Sequence, residues 1–240
     1  MKGVSQALRS TVFTLYLFLS VPIYGVLVLP TVLLPRRFAY AGARAWARSV
    51  LWMLRWLCSL EYRVEGVEHL PTTSAVVLMK HSSAWETIAQ LLIFPEQTWV
   101  LKRELTWIPV LGWVLMRLRA IAINRKGGRA AVQQVLEQGR RRLSEGLWVV
   151  IFPEGTRVPA GETRRYGMSG ALLAQAAGRP IIPVAHNAGD FWARRSWLKK
   201  PGSIRVVIGP AIATAGVEPR IANERTQRWI EDAVAKLRAS

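Results

Sequence analysis

Lys80-His81-Ser82-Ser83-Ala84-Trp85-Glu86-Thr87 sets an imidazole and a carboxylate five positions apart, the residue types that general acid–base chemistry uses. Residues five apart on one helix do not share a face, because helical neighbours are three or four apart. A contact between His81 and Glu86 therefore needs a turn at His81 and a helix that starts just after it. Ser83 is a candidate cap for that start. The same letters also have a purely structural reading: Ser83-x-x-Glu86 is a capping box, with the glutamate reaching back to the backbone N–H of the cap.

Phe152-Pro153-Glu154-Gly155-Thr156-Arg157 is the second stretch with chemical content. Gly155 permits positive φ or close backbone approach, Thr156 offers a hydroxyl, and Arg157 offers a planar fork suited to phosphate. Read alone, it is equally a surface turn with a solvated arginine. Lys102-Arg103-Glu104-Leu105 is the third, with two cations at a strand end that could hold a phosphate or simply face water. The run from Trp107 to Trp113 behind it suits core or the wall of an acyl groove. Ile181-Ile182-Pro183-Val184-Ala185 is the fourth; it reads as a buried strand, and Pro183 predicts an edge or irregular position in it.

Each stretch sits at the end of a short apolar run. The runs Glu61–Val64, Ala75–Met79, Thr98–Leu101, Ala120–Ile123, Leu147–Phe152, Ile181–Ala185 and Ile204–Ile208 read as strands. Helical patterns cover Ala84–Phe94, Pro109–Arg117, Gly128–Ser144, Gly167–Ala177 and Pro219–Ala239. This alternation predicts an α/β fold with a mixed, partly parallel sheet flanked by helices, and ligands at the ends of its strands.

Ahead of that region the pattern is different. Residues 11–34 carry no charge, and about 20 apolar residues suffice to cross a bilayer. Pro22 and Pro30 interrupt a single straight helix. Residues 43–60 form a Trp-rich basic amphipathic pattern suited to an interface. Residues 1–60 contain no acid, and most of their cations follow the apolar stretch, so the rest of the chain is expected on the cytoplasmic side of an inner membrane. The reading is an N-terminal membrane-anchoring helical segment over 1–60 and an α/β domain over 61–240, with residues 11–34 either spanning the bilayer or dipping into one leaflet.

Composition narrows the partners. The 240 residues carry a net charge of +18 and 11 Trp, which fits anionic lipid and an anionic co-substrate. The single cysteine, Cys58, excludes an internal disulfide and a cysteine-rich zinc site. His69, His81 and His186 show no ligand spacing, so no metal is expected. The basic charge is spread along the chain without a nucleic-acid motif, and no nucleic acid is expected as a partner. Gly167-Met168-Ser169-Gly170-Ala171 nearly matches a hydrolase elbow, but its fifth position fails, no strand precedes it, and His186 comes before Asp190 in the chain.

Taken together and in this order, His-x4-Glu, Lys-Arg-Glu-Leu…Pro…Gly, Phe-Pro-Glu-Gly-Thr-Arg and Ile-Ile-Pro-Val resemble the glycerophospholipid acyltransferase family over about residues 60–210. The resemblance implies transfer of an acyl group from a thioester, acyl-CoA or acyl-carrier protein, to the sn-2 hydroxyl of a lysophospholipid such as lysophosphatidic acid, with no cofactor. It implies His81 as general base, with Glu86 orienting it where most members carry aspartate. Glu154, Gly155, Thr156 and Arg157 would form the acceptor site, with Arg157 on the phosphate and Lys102 and Arg103 adding to it. Pro183 and its neighbours would support the donor side. Another acceptor, such as a lyso-ornithine lipid with a carboxylate, fits the same motifs.

Overall fold

The computed structural model describes residues 2–239. Helix α1 (Lys2–Val28) is followed by a 3-10 turn at Leu29–Leu33 and by α2 (Arg36–Cys58). Helix α1 runs through Pro22 and ends ahead of Pro30. The contacts Gln6–Cys58, Trp46–Ser20 and Gly42–Val28 run in opposite order along the two helices, so α1 and α2 are antiparallel. Helix α2 buries Ala39, Ala43, Ala47, Val50, Leu54 and Cys58 and leaves Trp52 and Trp56 outside, stacked on each other. This is the periodicity expected of an amphipathic helix.

The α/β region follows as β1 (Leu60–Glu65), β2 (Val76–Met79), α3 (Trp85–Ile93), β3 (Gln97–Lys102), α4 (Leu111–Arg117), β4 (Ile121–Ile123), α5 (Gly128–Ser144), β5 (Trp148–Ile151), α6 (Ser169–Ala176), β6 (Ile181–His186), α7 (Ala188–Phe191), β7 (Gly202–Ile208) and α8 (Pro219–Ala239). The strands form one sheet in the order β1-β7-β6-β2-β5-β3-β4. Every described pairing is parallel except β6 with β7, so the sheet is mixed and mostly parallel. The short turn α7 is absent from the sequence pattern, being too brief to show a period.

Alternation along the strands divides the core. Val77 and Met79 of β2 face the side covered by α1, α2 and α3, while Val76 and Leu78 face α5, α6 and α8. Because β2 and β5 are covered on both faces, every residue of each is buried. Of the two positions expected for Pro183, an edge or an irregular one, the edge does not hold: β6 is an interior strand, between β7 and β2. The proline is tolerated because its carbonyl, and hence the side on which its N–H would lie, faces Gly209 just past the last β6–β7 ladder pair, Val184 with Ile208. Gly209 N–H still donates to the proline carbonyl at 2.9 Å, and the one bond forgone is the reciprocal bond at the end of the ladder.

The parallel trio β6-β2-β5 ends at one edge of the sheet. His81 follows β2, Glu154 follows β5 and His186 closes β6, so the topology alone brings these three side chains together.

Candidate active site

The loop between β2 and α3 places His81 against Glu86. The Nδ1 of His81 donates to Glu86 Oε1 at 2.8 Å. The same oxygen accepts the backbone N–H groups of Ser82 and Ser83 at 3.0 and 2.9 Å. The two sequence readings are therefore one arrangement, since Glu86 reaches back to the cap region and holds the imidazole with a single oxygen. Helix α3 begins at Trp85, one residue later than a Ser83 cap implies. The Ser83 hydroxyl still accepts the Trp85 N–H at 3.2 Å and donates to the Trp192 carbonyl at 2.6 Å. Glu86 is fully buried. Burial pushes its carboxyl up, but the His81 hydrogen bond and the Ser83 N–H favour the ionised form and the balance holds it below its ordinary value.

His81 stacks on Phe152 with ring centroids 4.2 Å apart and lines a pocket. With Nδ1–H given to Glu86, Nε2 carries the lone pair. Behind Glu86 lies His186, whose Nε2 is 3.9 Å from Glu86 Oε2. His186 donates from Nε2 to the Lys80 carbonyl at 2.8 Å and accepts the Ala188 N–H at Nδ1, at 3.2 Å. That pattern defines a neutral imidazole, and burial lowers its pKa in agreement.

A buried ion cluster flanks the loop on its other side. Lys80 Nζ donates to Glu231 of α8 at 2.7 Å, and Tyr166 OH donates to the same carboxylate at 2.9 Å. Glu154 accepts the His81 backbone N–H at 3.1 Å and lies 3.7 Å from Lys80 Nζ. Burial pushes the Glu154 carboxyl up to about 7. The cluster holds two acids and one base, so a dry interior leaves the Glu154 proton easy to keep.

The pocket has a volume of about 310 Å³. Its interior is apolar, bounded by Tyr24 and Gly25 of α1, Ala43 and Trp46 of α2, and Val114 and Leu118 of and after α4. Its lining also includes the polar side chains of His81, Thr87, Gln90, Arg125 and Arg157. The Nε of Arg157 is buried without a hydrogen-bond partner, and Arg125 donates from Nη1 to the Gly155 carbonyl. Gly155 has φ +69°, the left-handed conformation its residue type allows.

Of the residues singled out in the sequence, the structure assembles His81, Glu86, Glu154 and Arg157 around one loop, with Gly155 and Thr156 in the turn between the last two. Lys102 and Arg103 stand apart: Lys102 is exposed and 3.5 Å from Glu104, and Arg103 lies over the Trp107 ring. Pro183 is buried in β6, a strand beside β2, and does not line the pocket. Arg125 and Glu231 were missed. Arg125 follows β4 as Lys102 ends β3, and that position was its signal. Glu231 is 151 residues from Lys80, and nothing local marks it. The hydrolase alternative loses its partners: both ring nitrogens of His186 bond backbone groups, and Asp190 pairs with Arg238 at 3.0 Å.

The described residues thus combine a seven-stranded mixed sheet, a histidine–carboxylate pair at its strand ends and a largely apolar pocket. The chain belongs to the Acyltransferase family, which its residues 61–187 match. Among named relatives it is 40% identical over 239 residues to the 1-acyl-sn-glycerol-3-phosphate acyltransferase of Pseudomonas aeruginosa, covering 97% of this chain and 92% of that protein. It is 27% identical to the human 1-acyl-sn-glycerol-3-phosphate acyltransferase alpha, over 72% of this chain and 62% of that one. The crystal structure of the 1-acyl-sn-glycerophosphate (LPA) acyltransferase PlsC from Thermotoga maritima shares the fold, with a TM-score of 0.83 over 100% of this chain and 99% of that chain at 20% identity. The protein is an acyltransferase enzyme.

Proposed function

We propose that the chain transfers a fatty acyl group from an acyl thioester to the sn-2 hydroxyl of 1-acyl-glycerol-3-phosphate, giving phosphatidic acid at the cytoplasmic face of an inner membrane. The observation that carries the chemistry is the 2.8 Å His81–Glu86 bond, with His81 lining a largely apolar pocket. The relative from Pseudomonas aeruginosa supports the acceptor. Nε2 of His81 takes the hydroxyl proton as the oxygen attacks the thioester carbonyl. The tetrahedral intermediate collapses, the C–S bond breaks, and the imidazolium returns its proton to the departing thiolate. Glu86 stabilises the imidazolium and fixes the tautomer. Arg157 and Arg125 suit the acceptor phosphate. The apolar interior of the pocket suits an acyl chain, and the uncharged stretch of α1 from residue 11 onward suits membrane attachment.

The test is thiol release from acyl-CoA, and separately from acyl-carrier protein, in the presence of lysophosphatidic acid and of lyso-ornithine lipid. Release that requires lysophosphatidic acid and disappears in a folded His81→Ala variant supports the reading. Acceptor-independent release, or a preference for lyso-ornithine lipid, overturns it.

A further inference from the structure

Two apolar surfaces of this protein face outward with no protein partner among the described residues. One belongs to α1, where Leu15, Phe18, Leu19 and Ile23 are exposed. The other lies within the α/β region, on α4 and the 3-10 turn Arg103–Trp107 before it. There Trp107 and Trp113 are 66% and 50% exposed, and Ile108 and Met116 are exposed beside them. Large exposed apolar side chains in one short stretch mark a contact surface.

The second surface is joined to the first. Val110 has φ +65°, an unusual conformation for a β-branched residue, and its side chain fills the space over Gly25 of α1, where a Cβ would lie 2.2 Å from it. One helical face on, Val114 also approaches Gly25, and Arg117 donates to the carbonyls of Thr31 and Leu34 in the corner between α1 and α2. Residues 110, 114 and 117 thus bind the N-terminal helices, and Trp113 and Met116, on the next face, point away from them. The corner itself exposes Leu33, Leu34 and Phe38, so the apolar surface runs on from α1 through the corner to α4. Its rim carries net positive charge: residues 102–119 contain Lys102, Arg103, Arg117 and Arg119 against Glu104, with Lys102 beside Glu104 and Arg119 paired with Glu145 at 3.0 Å.

We propose that the segment Arg103–Arg117 is a second membrane-contact element, which inserts Trp107, Ile108, Trp113 and Met116 into the same anionic lipid leaflet as α1. Tryptophans at the edge of an apolar face with a cationic rim suit the headgroup boundary. Because Leu105, Leu111 and Val114 also line the pocket, the arrangement opens the acyl pocket towards the leaflet. The inference rests on α1 being lipid-embedded; the Val110–Gly25 contact is the rivet that extends that embedding to the α/β region.

The test uses full-length protein in a Cys58→Ala background with one new cysteine at a time, Trp107→Cys, Trp113→Cys, Leu19→Cys on α1 or Val67→Cys on the 3-10 turn after β1. Each carries an environment-sensitive fluorophore and is mixed with phosphatidylethanolamine–phosphatidylglycerol vesicles, with and without brominated acyl chains. Labels at 107 and 113 should shift to the blue and be quenched at least half as strongly as the label at 19, with 67 unaffected. If 19 is quenched while 107 and 113 behave like 67, the proposal fails and α1 embedding stands; if 19 is not quenched, both fail. A concentration-dependent blue shift at 107 and 113 without lipid shows a second copy as the occupant and overturns the proposal. In the vesicle partition of the Trp107→Ser, Ile108→Ser, Trp113→Ser triple variant, a loss of roughly tenfold is expected; an unchanged partition of folded protein counts against it. None of these readouts depends on the acyl-transfer reaction.

Discussion

Glu86 holds His81 through the same oxygen that accepts the Ser82 and Ser83 backbone N–H groups, so the ring and the start of α3 share one anchor. An oxygen bound by three donors has little freedom, and the imidazole bound to it has one orientation. This coupling makes the position sensitive to both charge and length.

His81→Ala should remove acyl transfer, a loss on the order of 10²–10⁴ in kcat for a missing general base. Glu86→Gln keeps an acceptor for the backbone N–H groups but not the charge, and should lower kcat by a comparable factor with little change in KM. Steady-state kinetics on variants matched for folding by circular dichroism check both. A Glu86→Gln enzyme with full kcat would reduce Glu86 to a helix cap.

Arg157 has a buried, unpartnered Nε and lines the pocket, as Arg125 does. Arg157→Ala should cost a charge-assisted interaction of about 1.5–3 kcal/mol, roughly ten- to a hundredfold in kcat/KM for a phosphate-bearing acceptor. The same variant should discriminate less between that acceptor and a lysolipid without phosphate. Kinetics with both acceptors measure it.

The Lys80–Glu231 pair ties α8 to the residue before His81. Removing one partner of a buried pair typically costs 3–5 kcal/mol. Glu231→Ala should therefore lower the denaturation midpoint strongly and also impair kcat. Restoration by Glu231→Asp would be partial because the shorter chain cannot serve both Lys80 and Tyr166. Urea unfolding curves with matched kinetics decide the matter.

Glu154 titrates at about 7, raised from 4.5 mainly by burial. Its folded form holds the proton to higher pH than the unfolded chain does. The stabilisation is therefore complete below about pH 4.5 and is lost as pH rises through about 7. Glu154→Gln, which cannot ionise, should lose little at pH 5 and gain on the native protein by up to a few kcal/mol by pH 8. Melting temperatures of the two proteins across that range check the sign; parallel curves would show that Glu154 stays ionised throughout.

The sheet and most of its flanking helices were legible in the sequence because apolar runs and helical periods are local properties. The expectation at α4 overshot by two residues, since Val110 adopts a γ-turn-like conformation with φ +65° and ψ −58° while packing on Gly25, a contact no local pattern encodes. Pro183 read as an edge or irregular position because a missing N–H normally excludes a regular interior one; the strand is interior, and the structure seats the proline at the end of the β6–β7 ladder.

By itself, the sequence determined the residue types at the strand ends, the turn chemistry of Gly155, the uncharged N-terminal stretch and the family. Strand order, which no local pattern encodes, decided that β2, β5 and β6 lie side by side and so bring His81, Glu154 and His186 to one edge. Tertiary packing alone placed Lys102 and Arg103 outside the pocket, brought Arg125 into it, and set Glu231 against Lys80 across 151 residues. The reason is physical: hydrophobic periodicity specifies which face of an element is buried, whereas the partners of a buried charge are set by which elements meet there.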